Sequence, residues 1–224
     1  MGAEIVGGWV TASRPKPRPA RLRPAPGANA REAIGVLSPG VRVVGLTKGQ
    51  FSMLDMLAAV LEQTGPADVM VSTWTQGKAE MEGVAGLLRT HKITRFRLLV
   101  DRSFVTRHPG YVKHIHSIAG PESVRQTKTH AKFALIAGGD YRITIRTSMN
   151  FNHNPRLEQF DLDDDPVIYD FFAGAVDEIF DVVPAGLDVA NGKIESGFEA
   201  IRFGVDVGRG FDYTGFRFNV DIQR

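Results

Sequence analysis

A chain of 224 residues with 43% hydrophobic side chains can bury one ordinary core and leave length for tails. It contains no cysteine, which excludes disulfides and thiolate metal sites, and its net charge of +2 is unevenly spread. No apolar run approaches the roughly 18–20 residues of a membrane span. The start of the chain lacks a secretory pattern, and Val6 stands where a myristoylation signal needs Ser or Thr. The expectation is a cytoplasmic protein.

Residues 13–27 carry five basic side chains, no acid and repeated prolines, which block helices and sheet ladders. Residues 1–33 therefore read as an extended basic arm, suited to nucleic acid phosphates or serving only as a solvated tether. Val41–Gly45 is a first strand. Residues 50–63 place apolar side chains at helical spacing, and Thr64-Gly65-Pro66 stops that helix. Asp68–Thr75 is a buried strand, 78–90 a second helix and Phe96–Asp101 a third strand. This alternation predicts an α/β layered domain over residues 34–185, a mixed sheet flanked by helices.

Residues 102–129 hold Arg102, Arg107, Lys113, Arg125 and Lys128 against the single acid Glu122. They read as a basic lip that draws in a polyanion. His114 and His116 lack a spaced third ligand, so no metal is expected there. Residues 130–136 and 141–147 are strands joined by Gly138-Gly139-Asp140, a hairpin signal. Arg156–Asp161 follows as another strand. The Asp163-Asp164-Asp165 run suits the N-terminus of the amphipathic helix Pro166–Val182. Beyond it, seven glycines fall between 186 and 215, and Phe203, Val205 and Val207 alternate, as do Phe216, Phe218, Val220 and Ile222. Residues 186–224 read as a glycine-rich β extension.

The chemistry concentrates between His130 and Glu158. On an extended strand His130 and Lys132 face one side, and Thr147, Ser148 and Asn150 follow where the return strand ends. An imidazole, a cation and amide and hydroxyl groups at neighbouring strand ends suit a phosphate. A neutral imidazole can attack the phosphorus of an anionic phosphodiester and later depart. A lysine and an asparagine can hold the non-bridging oxygens as charge builds. A carboxylate such as Glu158 can set a histidine's tautomer, and a second imidazole would protonate the leaving oxygen.

The spacing His130-x-Lys132, then Ser148-x-Asn150, then Asn154-x-Arg156-x-Glu158 resembles the phospholipase D superfamily signature. The resemblance covers roughly one family half, residues 34–185. It implies a metal-independent phosphodiesterase without cofactor. His130 would be the phosphohistidine nucleophile or, from the other half, the general acid. Lys132 and Asn150 would bind phosphate oxygens, Ser148 would support the phosphate or its loop, and Glu158 would hold the opposing histidine. Thr147, Asn154 and Arg156 lie in the same runs as candidate phosphate contacts. Only one His-x-Lys occurs in the chain, so the resemblance implies a homodimer with one site on its two-fold axis. The pattern departs at Ala137, where the family carries Asp, and at Thr147, where it carries Gly. Asp140 is a candidate substitute for the missing acid. The basic segments favour a nuclease, acting on DNA more than RNA. A binding protein that has lost turnover and a phospholipid hydrolase are the alternatives.

Overall fold

The computed structural model describes residues 29–202 in full, together with the backbone of Ala12–Ser13, Arg21–Pro24 and Arg217–Phe218. Ten strands are described: β1 (Ala12–Ser13), β2 (Arg21–Pro24), β3 (Arg42–Thr47), β4 (Ala67–Thr73), β5 (Ile93–Asp101), β6 (Val124–Thr127), β7 (Phe133–Gly138), β8 (Tyr141–Thr147), β9 (Glu158–Asp164) and β10 (Arg217–Phe218). The helices are α1 (Ala30–Ile34), α2 (Met53–Thr64), α3 (Lys78–Arg89), α4 (Ser103–Arg107), α5 (Tyr111–Ala119), α6 (Pro166–Val182) and α7 (Asn191–Ala200). β1 and β10 pair with each other, and the other eight strands form one sheet in the order β2-β3-β9-β8-β7-β4-β5-β6. None of the described helices is long and apolar enough to cross a membrane.

The sheet is mixed. β4, β5 and β6 are parallel neighbours, while β4–β7, β7–β8, β8–β9 and β9–β3 are antiparallel. Four reversals between β3 and β4 leave β3, β4, β5 and β6 pointing the same way. Their C-terminal ends, the start of β7, the end of β8 and the start of β9 share one sheet edge.

Both faces are covered, as the α/β pattern predicts. The larger core packs Met53, Met56, Leu57, Leu61, Met81 and Val84 from α2 and α3 against Val69, Val71, Ala134 and Ile136 of the sheet. The smaller core sets Val176, Ile179 and Phe172 of α6 against Met70, Phe133 and Leu135 on the other face. α2 starts with a capping box: the Ser52 N–H donates to Asp55 Oδ2 at 2.7 Å, and the Asp55 N–H donates to Ser52 Oγ at 3.2 Å. Gly65, at φ 76°, ends the same helix.

Five expectations change on folding. Arg21–Pro24, expected in an extended arm, adds to the sheet in parallel with β3. Ala30, Ala33 and Ile34 of α1 are buried, so the core begins before residue 34. β7 starts at Phe133 rather than at His130. Within residues 186–202 the expected strand-and-turn pattern is replaced by α7. Gly197 belongs there because a Cβ would sit 3.2 Å from the Val182 carbonyl and from Val183. The alternating residues 203–216 and 219–224 lie outside the described residues, apart from the backbone of β10.

The last change concerns the basic lip. Arg125 is buried, donating to the Phe180 carbonyl at 3.3 and 3.1 Å and to the Glu122 carbonyl at 2.9 Å. Arg102 and Lys128 both pair with Glu195 of α7. His114 and His116, separated by their positions on α5, take different partners: His114 faces Glu82 at 3.2 Å, and His116 Nε2 accepts the Leu187 N–H at 3.1 Å. Of the acidic run, Asp165 caps α6 through Val167 N–H at 3.0 Å, while Asp164 accepts the Gly40 and Arg142 N–H groups at 2.7 and 2.9 Å.

The β7–β8 hairpin needs glycine at its start. A Cβ on Gly138 would lie 2.7 Å from Ala67 Cβ and 2.9 Å from the Pro66 carbonyl. Gly138→Ala is expected to destabilise by about 1–3 kcal/mol through overpacking. Gly174→Ala, in open space on α6, is expected to stabilise by up to about 1 kcal/mol. Urea denaturation of both variants checks the pair.

Candidate active site

The shared sheet edge collects the candidate residues because every strand that carries one ends or begins there. His130 and Lys132 lie in the segment before β7, Ser148 and Asn150 just after β8, and Glu158 opens β9. Crevices beyond the carboxyl ends of parallel strands are where open α/β sheets commonly bind ligands.

The segment before β7 is pinned at Thr129, Ala131 and Lys132. The Thr129 N–H donates to Asp101 Oδ2 at 3.2 Å, and Asp101 also accepts from Ser103. Ser72 Oγ donates to the Ala131 carbonyl at 2.9 Å. The Thr147 N–H donates to the Lys132 carbonyl at 3.1 Å, which carries the β7–β8 ladder one residue beyond the strand. Lys132 Nζ turns back to His130, 3.1 Å from Nδ1 and 3.0 Å from the His130 carbonyl oxygen. His130 is exposed and Lys132 half-buried. Although His130 is off the strand, the expected convergence of its imidazole with the lysine is present.

The segment after β8 alternates. Met149 and Phe151 plug into the core, leaving Ser148, Asn150 and Asn152 directed away from it. Phe151 is locked to the end of β4: its N–H donates to Thr73 Oγ1 at 2.9 Å and its carbonyl accepts the Gly77 N–H at 2.8 Å. Ser148 Oγ donates to Glu158 Oε2 and accepts the Gln159 N–H at 3.0 Å. Ser148 thus orients Glu158. Thr147 is buried, donating to the Gln159 carbonyl at 2.6 Å and accepting the Met149 N–H at 3.0 Å. Its hydroxyl shapes the turn.

Burial pulls the Lys132 ammonium below the usual lysine range, and the Glu158 carboxylate acts in the opposite direction. The two residues therefore feel each other's charge. Asn150 Oδ1, Asn152 Oδ1 and both amide atoms of Gln76 are enclosed with no hydrogen-bond partner among the described residues. Gln76 forms a backbone bridge with Phe151, which puts these three amides in one neighbourhood. Asn154 and Arg156 lie in the loop before β9. Among the described contacts, that loop leans on the turn at Gly49, where a Cβ would meet Pro155 Cα at 2.4 Å and the Asn154 carbonyl at 2.7 Å. Neither residue is joined to His130 or Lys132 there.

Ala137 and Asp140 are remote from this edge. Ala137 lies five residues along β7 from Lys132, about 16 Å at 3.3 Å per residue and on the opposite face of the pleat. Asp140 is exposed at the tip of the far hairpin, so it does not substitute at the site. Ala137 pairs in register with Asp68, whose carboxylate accepts from Thr94 Oγ1 at 2.6 Å. Directly opposed residues share a face, so β4 supplies an acid beside the alanine.

Sequence reasoning missed Asp101, Ser72 and Gln76, which hold or border the site from β5, from β4 and from just after β4. Arg107, expected only as part of the basic lip, has its Cζ 3.9 Å over the Trp74 ring. Trp74 itself sits with its ring centroid 5.7 Å from that of His130. Residues so distant in the chain reach the edge only through strand order. Among the described residues, no cluster of three or more His, Asp or Glu side chains is placed to hold a metal ion.

No family model and no curated protein sequence matches the chain. Solved structures with a similar course include a phospholipase D family member, Nuc, from Salmonella typhimurium, at 12% identity and TM-score 0.46, covering 64% of this chain and 96% of that one. NucT from Helicobacter pylori matches at 12% identity and TM-score 0.49, over 65% and 99% of the two chains. Polyphosphate kinase from Porphyromonas gingivalis matches at 14% identity and TM-score 0.45, over 64% of this chain and 26% of that one. At these identities and TM-scores the likeness assigns neither a family nor an activity, and the function must be sought in the side chains at the sheet edge.

Proposed function

We propose that the protein is a phosphodiesterase of the phospholipase D type, acting on nucleic acid at a site shared by two copies of the chain. The observation that carries this reading is the exposed His130 imidazole held against Lys132, with Glu158 and Asn150 brought to the same edge from the neighbouring strand ends. An imidazole beside a cation is what attack on an anionic phosphodiester needs. The seven motif positions from 130 to 158 support the same reading.

In the proposed reaction a His130 nitrogen attacks phosphorus and the P–O bond to the leaving strand breaks. The leaving oxygen takes a proton from a second imidazole, His130 of the other copy. Water then attacks the phosphohistidine, the P–N bond breaks, and the second imidazole recovers its proton from that water. Lys132 neutralises a non-bridging oxygen, and the Asn150 amide supplies a further polar contact. Glu158, oriented by Ser148, holds the histidine of the opposing copy. Lysine meets the phosphate charge directly, so the scheme requires no divalent cation. Ala137 does not interrupt it, because that position lies on the other face and a sheet's length away. The chain holds a single His-x-Lys, so in this scheme the second imidazole comes from the second copy.

Three outcomes test the reading. The wild-type protein should cleave DNA in excess chelator, and His130→Ala should lower the rate by roughly 10³-fold or more. Tight, salt-dependent binding of DNA without cleavage would instead indicate a binding protein, and headgroup release from lipid vesicles a lipase. If one site needs both histidines, a one-to-one random mixture of wild type and His130→Ala subunits should retain about one quarter of the wild-type activity. Half the activity would show that each copy works alone.

The third outcome concerns pH. Burial lowers the Lys132 pKa, so its charge is lost as pH rises through a value below the usual lysine range. Activity should therefore fall on the alkaline side earlier than a free lysine predicts. Lys132→Arg should move that limb upward, since arginine stays charged. Glu158→Gln removes the carboxylate that opposes the shift, and should move the limb of its residual activity downward. A pH–rate profile for each variant gives the sign.

A further inference from the structure

Trp74 lies beside the proposed catalytic imidazole and Arg107 lies over Trp74, yet the phosphate chemistry uses neither. Trp74 follows the last residue of β4 and is half-buried, at the edge where β7 begins. Its ring stands 5.7 Å from the His130 ring, tilted by 46°. Arg107, the last residue of α4, is exposed and lays its guanidinium over the indole with Cζ 3.9 Å from the ring centroid. Two hydrogen bonds hold it there, from Nη2 to the Trp74 carbonyl at 3.3 Å and to Ser103 Oγ at 3.2 Å. Ser103 is itself bound to Asp101, which also fixes Thr129 next to His130. One carboxylate thus supports both the arginine stack and the histidine segment.

We infer that Trp74 and Arg107 form a stacking platform for an unpaired nucleobase next to the scissile phosphate, which makes single-stranded nucleic acid the preferred substrate. The inference rests on the phosphodiesterase reading above. A planar guanidinium backed by an indole offers an outward face that attracts both a base and the adjoining phosphate. Bases stack readily on aromatic rings and arginine planes without regard to sequence. In a duplex those faces are covered by the neighbouring pairs, so only a splayed or single-stranded base can reach the platform. The close approach of the indole to His130 puts the stacked base and the reacting phosphate in adjacent positions. Within the basic segment 102–129, Arg125 is buried and Arg102 and Lys128 are paired with Glu195, so these three give a duplex little to hold.

The test compares kcat/KM for a short labelled single strand, the same sequence as a duplex, and a strand of equal length carrying abasic residues. The wild-type protein should prefer the base-bearing single strand over both others. Trp74→Ala and Arg107→Lys should each lower kcat/KM on that strand by roughly 5- to 150-fold, the range that loss of one stacked base produces. In both variants the ratio of base-bearing to abasic cleavage should collapse toward unity. Arg107→Lys keeps the charge and removes the plane, and its exposed position spares the fold. A wild-type protein that cuts the abasic strand as well as the normal one overturns the platform. So does a preference that survives in Arg107→Lys. If the wild-type protein cleaves none of the three, the phosphodiesterase reading fails, and the platform is judged on binding. Fluorescence anisotropy should then still rank the base-bearing strand above the abasic one, with the difference lost in both variants. Equal affinities overturn it.

Discussion

The position of β7 governs the site. It is hydrogen-bonded between β4 and β8, with Phe133 in register with Ser72 on one side and Arg146 on the other. Phe133 and Leu135 face the smaller core under α6, and Ala134 and Ile136 face the larger one. A slip of one residue would exchange the two faces and force Phe133 into a space that an alanine fills. With that register set, Lys132 must leave the sheet beside Thr147, and His130 must emerge beside the end of β4. The reactive pair is placed by apolar packing several residues away.

A second feature is the economy of anchoring at the edge. Asp101 ends β5 and accepts hydrogen bonds from both Thr129 and Ser103, thereby tying the histidine segment to the start of α4. Thr73 Oγ1 accepts the Phe151 N–H at 2.9 Å and donates to the Thr75 carbonyl at 2.6 Å, tying the asparagine segment to the end of β4. Short polar side chains therefore hold the loops, while Met149 and Phe151 supply the apolar plugs. Rotamer-locked supports of this kind are what a preorganised site requires. The same enclosure partly strips water from Lys132, which is the cause of its lowered pKa.

Legibility in the sequence followed the range of the interaction. The helices at Met53–Thr64, Lys78–Arg89 and Pro166–Val182 and the hairpin at Gly138–Tyr141 come from local periodicity and turn chemistry, which neighbouring residues settle among themselves. The pairing of His130 with Lys132 was equally local. By contrast, the charges of residues 102–129 read as an open basic surface because their partners were invisible. Arg125 reaches Phe180 and Arg102 reaches Glu195, both far along the chain. The glycines at 192 and 197 read as turn markers, although Gly197 is there to let α7 approach Val182 and Val183 closely.

The sequence alone determined that an imidazole, a lysine, an asparagine and a glutamate stand at spacings suited to phosphate chemistry, since those spacings are covalent facts. It determined the α/β class, because hydrophobic periods of two and of about 3.6 alternate along the chain. Only the tertiary structure decided that Ser148 holds Glu158, that Ala137 lies across the sheet from Lys132, and that Trp74 and Arg107 stack beside His130. Each of these depends on strand order and register, which come from burying both faces of one sheet at once. No window of sequence shorter than the domain contains that condition.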